Sequence, residues 1–175
     1  MLPLEQIDKA LPQNGLVLDL GCGEGVISKY LARQKKRNVI GMDLDIKRVQ
    51  KSNQDNLKFM HGNVLNYNTK TASGVVISDV LHHMNFQKQD QLLKNISINF
   101  KKGGVLVVKE VDREELVRSR LTRFWDFIFY PMEKIYFSKS KDLLIKLIHL
   151  GFDVKIKKEC RFFPGSTTLF VCKKL

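Results

Sequence analysis

Along this chain, short runs of apolar and β-branched residues alternate with stretches in which apolar positions return every three or four residues. That is the pattern of a parallel sheet with crossover helices. LVLDL (16–20) is the first strand, and in VISKYLARQ the residues Val26, Ile27, Tyr30 and Leu31 share a helical spacing. VIGMD (39–43) supplies a second strand and completes a βαβ unit. LKFM (57–60) and GVVISD (74–79) follow, then a helix around residues 87–99 with Leu92, Leu93 and Ile96 on one face. KKGG ends that helix: Lys101 and Lys102 suit the negative end of its dipole, and Gly103 or Gly104 can take the left-handed cap. VLVVKEV (105–111) is the fifth strand.

Ser140 is the expected N-cap of a further helix, KDLLIKLIHL, with Gly151 as its stop. FDVKIKKEC (152–160) and TLFVCKK (168–174), joined by a turn holding Pro164 and Gly165, predict a closing antiparallel hairpin. The expected class is α/β. At 175 residues and 43% hydrophobic content, the chain can bury one sizeable core, so residues 1–175 are expected to form a single domain.

Composition narrows the classes further. No apolar run approaches the roughly 20 residues a bilayer-spanning helix needs, and MLPLEQIDKALP lacks a basic n-region and a continuous apolar core, so a soluble, cytoplasmic protein is expected. Cys22, Cys160 and Cys172 show no C-x-x-C pairing, which predicts reduced thiols and no metal centre. The formal charge of +12 fits nucleic acid, a lipid headgroup surface or a phosphorylated substrate, and equally a lysine-rich solvated face.

The chemistry begins at LDLGCGEG (18–25), where an acid precedes three glycines at alternate positions. A strand-to-helix turn with Gly21, Gly23 and Gly25 lets a ligand approach bare main chain. The spacing differs from the G-x-G-x-x-G of dinucleotide sites, and Asp19 would repel a pyrophosphate while suiting a ligand with cationic groups. Asp43, 22 positions after Gly21 at the end of the second strand, can accept from both hydroxyls of a ribose. A cationic nucleoside fits both acids.

With these segments the chain resembles the class I S-adenosylmethionine-dependent methyltransferases. The matching stretches are VLDLGCGEG (17–25), VIGMDLD (39–45), FMHGNVLNY (59–67) and VVISDVLHHM (75–84), covering about residues 11–111. The resemblance implies a Rossmann-like seven-stranded sheet of order 3-2-1-4-5-7-6, its seventh strand antiparallel, with helices on both faces. It also implies S-adenosyl-L-methionine as cofactor and S-adenosyl-L-homocysteine as product. It places the methionine moiety against Asp19, Gly21, Cys22 and Gly23, the ribose on Asp43 and the adenine on Leu44. Asn63 and Val64 stand where the family often has an acid for the adenine amino group, and Ser78 and Asp79 should line the reactive end. Cys22 is read as a loop residue bonding through its backbone, because no base motif accompanies it.

For a hydroxyl acceptor the enzyme must also remove a proton, and His82 or His83, after the fourth strand, is the candidate base. The fourth-strand motif SDVL lacks both the N/D-P-P-Y/F pattern of exocyclic-amine enzymes and the Pro-Cys of cytosine C5 enzymes. Oxygen on a small or lipid-like molecule is therefore the leading expectation. Residues 112–140 hold aromatics, among them Trp125, Phe129, Tyr130 and Tyr136, beside Arg118, Arg120 and Arg123. They are expected to form a substrate cap; packing on the sheet, seating on an anionic membrane and stacking on RNA bases are the alternatives. An RNA methyltransferase and a non-catalytic methyltransferase-like binding module are the other functional readings.

Overall fold

The computed structural model describes residues 3–45, 54–111, 135–159 and 167–175. Within them the chain runs α1 (Leu4–Ala10), β1 (Gly15–Leu20), α2 (Val26–Leu31), β2 (Arg37–Asp43), β3 (Leu57–His61), β4 (Gly74–Ser78), α3 (Phe86–Asn99), β5 (Val105–Val111), α4 (Ser140–His149), β6 (Phe152–Glu159) and β7 (Thr167–Lys174). The strands form one seven-stranded sheet of order β3-β2-β1-β4-β5-β7-β6. β1 pairs parallel with β2 and β4, while β7 runs antiparallel to both β5 and β6. This is the order that the resemblance implied.

Alternation along the central strands feeds a core on each face of the sheet. Val17 of β1 and Val107 of β5 join Ile7, Ile27 and Leu31 from α1 and α2. Leu18, Leu20, Leu106 and Val108 join Leu92, Leu93 and Ile96 of α3 and Leu143 and Leu147 of α4. The apolar run at 105–108 and the run at 16–20, broken only by the buried Asp19, therefore read as strands covered on both sides.

Two local expectations are corrected. The helix α3 ends at Asn99 with Phe100 in an extended cap (φ −78°, ψ 133°), not at a glycine. Gly103 is left-handed (φ 77°), but in the turn that leads to β5, where its N–H donates to the Lys174 carbonyl at 2.8 Å. Ser140 is the first residue of α4 rather than its cap; Lys139 takes the cap position, and the Ser140 hydroxyl bonds Thr168 Oγ1 at 3.3 Å across to β7. Gly151 (φ 80°) does terminate α4. Pro164, Gly165 and Cys160 lie outside the described residues.

At the end of the sheet away from the glycine loop, Arg37 opens β2 and is fully buried. Its Nε donates to the Pro12 carbonyl at 2.9 Å, and its Nη1 to Asp8 Oδ1 at 2.6 Å and to the Leu31 carbonyl at 3.2 Å. One guanidinium thus ties α1, α2 and β2 together. Removing the charged partner of a buried ion is costly because the ion left behind is uncompensated. Asp8→Ala is expected to lower unfolding free energy by about 3 kcal/mol with the native circular dichroism retained; a urea midpoint equal to wild type would contradict this role.

Candidate functional site

The carboxyl ends of β1 and β2 meet in the loop of Gly21, Cys22 and Gly23. The Met42 carbonyl accepts the N–H groups of Gly21 (2.7 Å) and Cys22 (3.0 Å), and Asp43 Oδ2 accepts that of Gly23 (2.8 Å). All three glycines are left-handed, Gly21 at φ 79°, Gly23 at 52° and Gly25 at 74°. A Cβ on Gly21 would lie 2.4 Å from Val80 and one on Gly25 2.4 Å from Phe59, whereas one on Gly23 meets nothing within 4 Å. Packing thus excludes a side chain at the outer two. The middle glycine borders open space.

Asp43 Oδ1 accepts the Asp45 N–H at 2.9 Å, so both carboxylate oxygens organise backbone, and each keeps a lone pair for a further donor. Leu44 follows with 60% of its surface exposed, its carbonyl 3.0 Å from His61 Nε2. Across from it Asn63 Oδ1 accepts the Leu65 N–H at 3.0 Å and caps the short 3-10 turn Val64–Asn66; Val64 is buried. The structure therefore uses the Asn63 oxygen for a local turn.

Asp19 is buried under the loop and accepts from Ser28 Oγ at 2.5 Å, in register with Gly41 on β2. A Cβ at Gly41 would lie 2.6 Å from that hydroxyl, so the glycine makes room for the bond. Burial pushes the Asp19 carboxyl up to about 6. Cys22 is raised to about 12, first by burial and then by Asp19 and Asp43. A thiol held that far from ionisation is no nucleophile at neutral pH.

At the end of β4, Asp79 occupies the left-handed region (φ 57°), the position of a non-glycine residue under strain. Its N–H donates to the Lys109 carbonyl at 3.0 Å, and its Oδ2 accepts from Ser78 Oγ at 3.3 Å and from Lys109 Nζ. The two histidines then diverge, His82 buried and His83 exposed. His82 Nδ1 lies 2.7 Å from Glu110 Oε2, while Glu110 Oε1 accepts the N–H groups of Val80 (3.1 Å) and Leu81 (2.8 Å). Phe137 stacks on His82 at 5.3 Å between ring centroids.

Tyr136 donates its N–H to the His82 carbonyl at 2.8 Å, and Gln89 Nε2 lies within 3.0 Å of the Leu81, Met84 and Tyr136 carbonyls. A small pocket here is lined by His82, Glu110, Gln89, Tyr136 and Ser138, with Leu143 and Phe170 on its apolar side. Of the aromatics in the expected cap, Tyr136 and Phe137 fall within the described residues; Trp125, Phe129, Tyr130 and the three arginines lie outside them.

Sequence reasoning missed Ser28, Gln89, Lys109 and Glu110. For the last two a signal existed: a charged pair interrupts the apolar strand VLVVKEV near its carboxyl end, where open α/β sheets bind ligands. Gln89 stands three, four and seven residues before Leu92, Leu93 and Ile96, the spacing of the buried face, whereas Ser28 carries no such mark because its partner is set by tertiary packing.

The sheet order, the acid-led loop and the acid ending β2 define a methyltransferase domain of the class I S-adenosylmethionine-dependent type. The chain belongs to the methyltransferase-domain family whose profile matches residues 3–155. It is 25% identical over 155 residues to an uncharacterized methyltransferase of Alkaliphilus oremlandii, covering 83% of this chain and 71% of that one. A ribosomal protein L11 methyltransferase of Alkaliphilus metalliredigens is 26% identical over 131 residues, 69% of this chain but 40% of the relative. Among solved structures, a SAM-dependent methyltransferase from Archaeoglobus fulgidus superposes with a TM-score of 0.80 at 19% identity, covering 98% and 91% of the two chains. Among the described residues no helix is long and apolar enough to cross a membrane.

Burial of Asp19 makes the stability of the fold depend on pH. Its folded value, about 6, lies above the ordinary 3.8, so the folded protein binds the proton more tightly than the unfolded chain. Without ligand, lowering the pH from 7 through 6 toward 4 relieves a destabilisation of about 3 kcal/mol in total. Asp19→Asn is expected to be more stable than wild type at pH 7 and to lack this gain. Urea titrations at pH 7 and pH 5 check it; parallel behaviour of the two proteins would refute it.

Proposed function

We propose that this domain transfers a methyl group from S-adenosylmethionine to an oxygen of a small or lipid-like acceptor, with His82 as the base. The observation that carries the reading is the buried pairing of His82 with Glu110 at the carboxyl end of β4, beside the loop that suits the donor.

The residues fit that donor. Gly23 borders open space in a loop flanked by two acids, and Leu44 presents an apolar surface from a backbone tied to His61. In this reading Gly21, Cys22 and Gly23 offer main chain to the methionine moiety, Asp19 supplies negative charge beneath it, and Asp43 holds the ribose through its remaining lone pairs. Leu44 packs on the adenine with Asn63 and Val64 at its amino edge, and Ser78 and Asp79 face the reactive end. When bound, S-adenosylmethionine supplies a methyl group activated by its sulfonium. The chain's own tasks are to seat the acceptor in line and to take its proton.

Glu110 assigns the tautomer for that task. An ionised carboxylate only accepts, and Oε1 already takes two backbone N–H groups, so Nδ1 of His82 carries the hydrogen toward Oε2 and Nε2 bears the basic lone pair. His83, exposed and outside this pairing, is not assigned the role. A substrate cap over 112–140, with Tyr136 in it, belongs to the acceptor side of the proposal, with a cytoplasmic location. The RNA reading draws on the net charge and on Lys155, Lys157 and Lys173, all exposed on the β6–β7 hairpin. It predicts binding that weakens steeply with salt.

Two measurements test the proposal. Gly23→Ala should fold at a cost of about 1–2 kcal/mol yet bind S-adenosylmethionine at least about tenfold more weakly by calorimetry, because its Cβ enters the space reserved for the ligand. With labelled donor and a panel of hydroxyl-bearing acceptors, His82→Gln should lower kcat by about 10²-fold or more and leave donor affinity unchanged. Absence of saturable donor binding, or transfer to a hydroxyl that ignores the His82 change, would sink it.

A further inference from the structure

Lys109 has no part in the reading above, yet it is a charged residue on a central strand at the reactive end of the sheet. It stands in register with Ser78 on β4 and with Leu169 on β7, and only 9% of its side chain is exposed. A lysine there loses most of its hydration and requires a partner. That partner is Asp79, whose side chain is 34% exposed and whose backbone is held in a left-handed conformation by its own N–H bond to the Lys109 carbonyl. Lysine and aspartate are therefore joined twice, through main chain and through side chain.

The Lys109 and Ser78 bonds both fall on Asp79 Oδ2. The Asp79 side chain is nonetheless 34% exposed. Asp79 is also one residue from Val80, whose methyl groups pack where a Cβ on Gly21 would stand. The ion pair is thus contiguous with the glycine loop.

We propose that Lys109 is a specificity-determining residue: by pairing with Asp79 it sets how strongly the site distinguishes a sulfonium-bearing donor from its uncharged thioether product. The inference rests on the reading that Asp79 faces the reactive end of the cofactor. An unopposed carboxylate there would favour the cationic donor, and an unopposed ammonium would disfavour it. The pair holds the preference between these limits, which restrains product from accumulating at the site without making donor binding excessively tight.

S-adenosylmethionine and S-adenosylhomocysteine differ by one methyl group and its positive charge, so the ratio of their dissociation constants isolates this effect from general damage to the pocket. The ratio of the product's constant to the donor's is expected to rise about fivefold in Lys109→Met and to fall about fivefold in Asp79→Asn. It should return near the wild-type value in the double variant and in Lys109→Arg. Calorimetry with each ligand on the full chain reads it. A ratio unchanged in both single variants, with both ligands still bound, overturns the inference; a wild-type protein that binds neither ligand overturns the cofactor reading beneath it. Should Lys109→Met fail to fold, Asp79→Asn alone decides: a ratio that stays level or rises refutes the proposal.

Discussion

Two adjacent acceptors at the end of β2, the Met42 carbonyl and the Asp43 carboxylate, take the N–H groups of Gly21, Cys22 and Gly23. A loop that presents bare main chain must satisfy its amides without side chains of its own. The neighbouring strand does so here, and the rest of the site follows from that grip. With the loop held, Gly25 can turn the chain into α2, and Ser28 in the first turn of α2 reaches down to Asp19. The two acids of the site thereby acquire different characters. Asp43 is tied to peptide N–H groups at the surface, whereas Asp19 is enclosed and raised to about 6. A cationic ligand above Asp19 would supply the charge that burial withholds.

The strand β5 divides the other half of the site by alternation alone. Lys109 and Glu110 are neighbours in sequence, so their side chains leave opposite faces of the sheet. One meets Asp79 at the end of β4, and the other meets the turn at 80–82. Two consecutive charges thus organise two different ends of one short connection. Neither could exchange places with its neighbour without reversing the sign of both environments.

These features were legible to different degrees. The glycine loop, Asp43 and the strand runs are local patterns whose meaning lies within a few residues, and the sheet order followed from resemblance. Buried charges were less visible. Arg37 stands in the basic stretch KKR, which reads as a solvated face, yet it is fully enclosed because α1 and α2 close over it. Ser140 carries the composition of a helix cap, but Thr168 on β7 competes for its hydroxyl and wins. Gln89 shares the buried face of its helix with Leu92, Leu93 and Ile96, yet its polar side chain reads as solvated, and only the carbonyls of a turn and of residue 136 around its amide explain its place there. In each case a partner distant in sequence overrode the local signal.

That difference maps onto the two halves of the site. The half proposed for the donor is built from β1, β2 and the loop between β1 and α2, where Asp43 reaches Gly23 across 20 positions within one βαβ unit. The half proposed for the acceptor depends on separations of 28 residues for His82 and Glu110 and 47 for Gln89 and Tyr136, which cross several elements. The halves touch where Val80 fills the space above Gly21. A substitution in the acceptor half can therefore leave the donor loop undisturbed provided it respects that contact, because the hydrogen bonds holding the loop come from β2 and not from β4 or β5. Acceptor specificity is free to vary on such a frame while the donor site stays fixed, which is the physical reason a motif names the methyl source more readily than its destination.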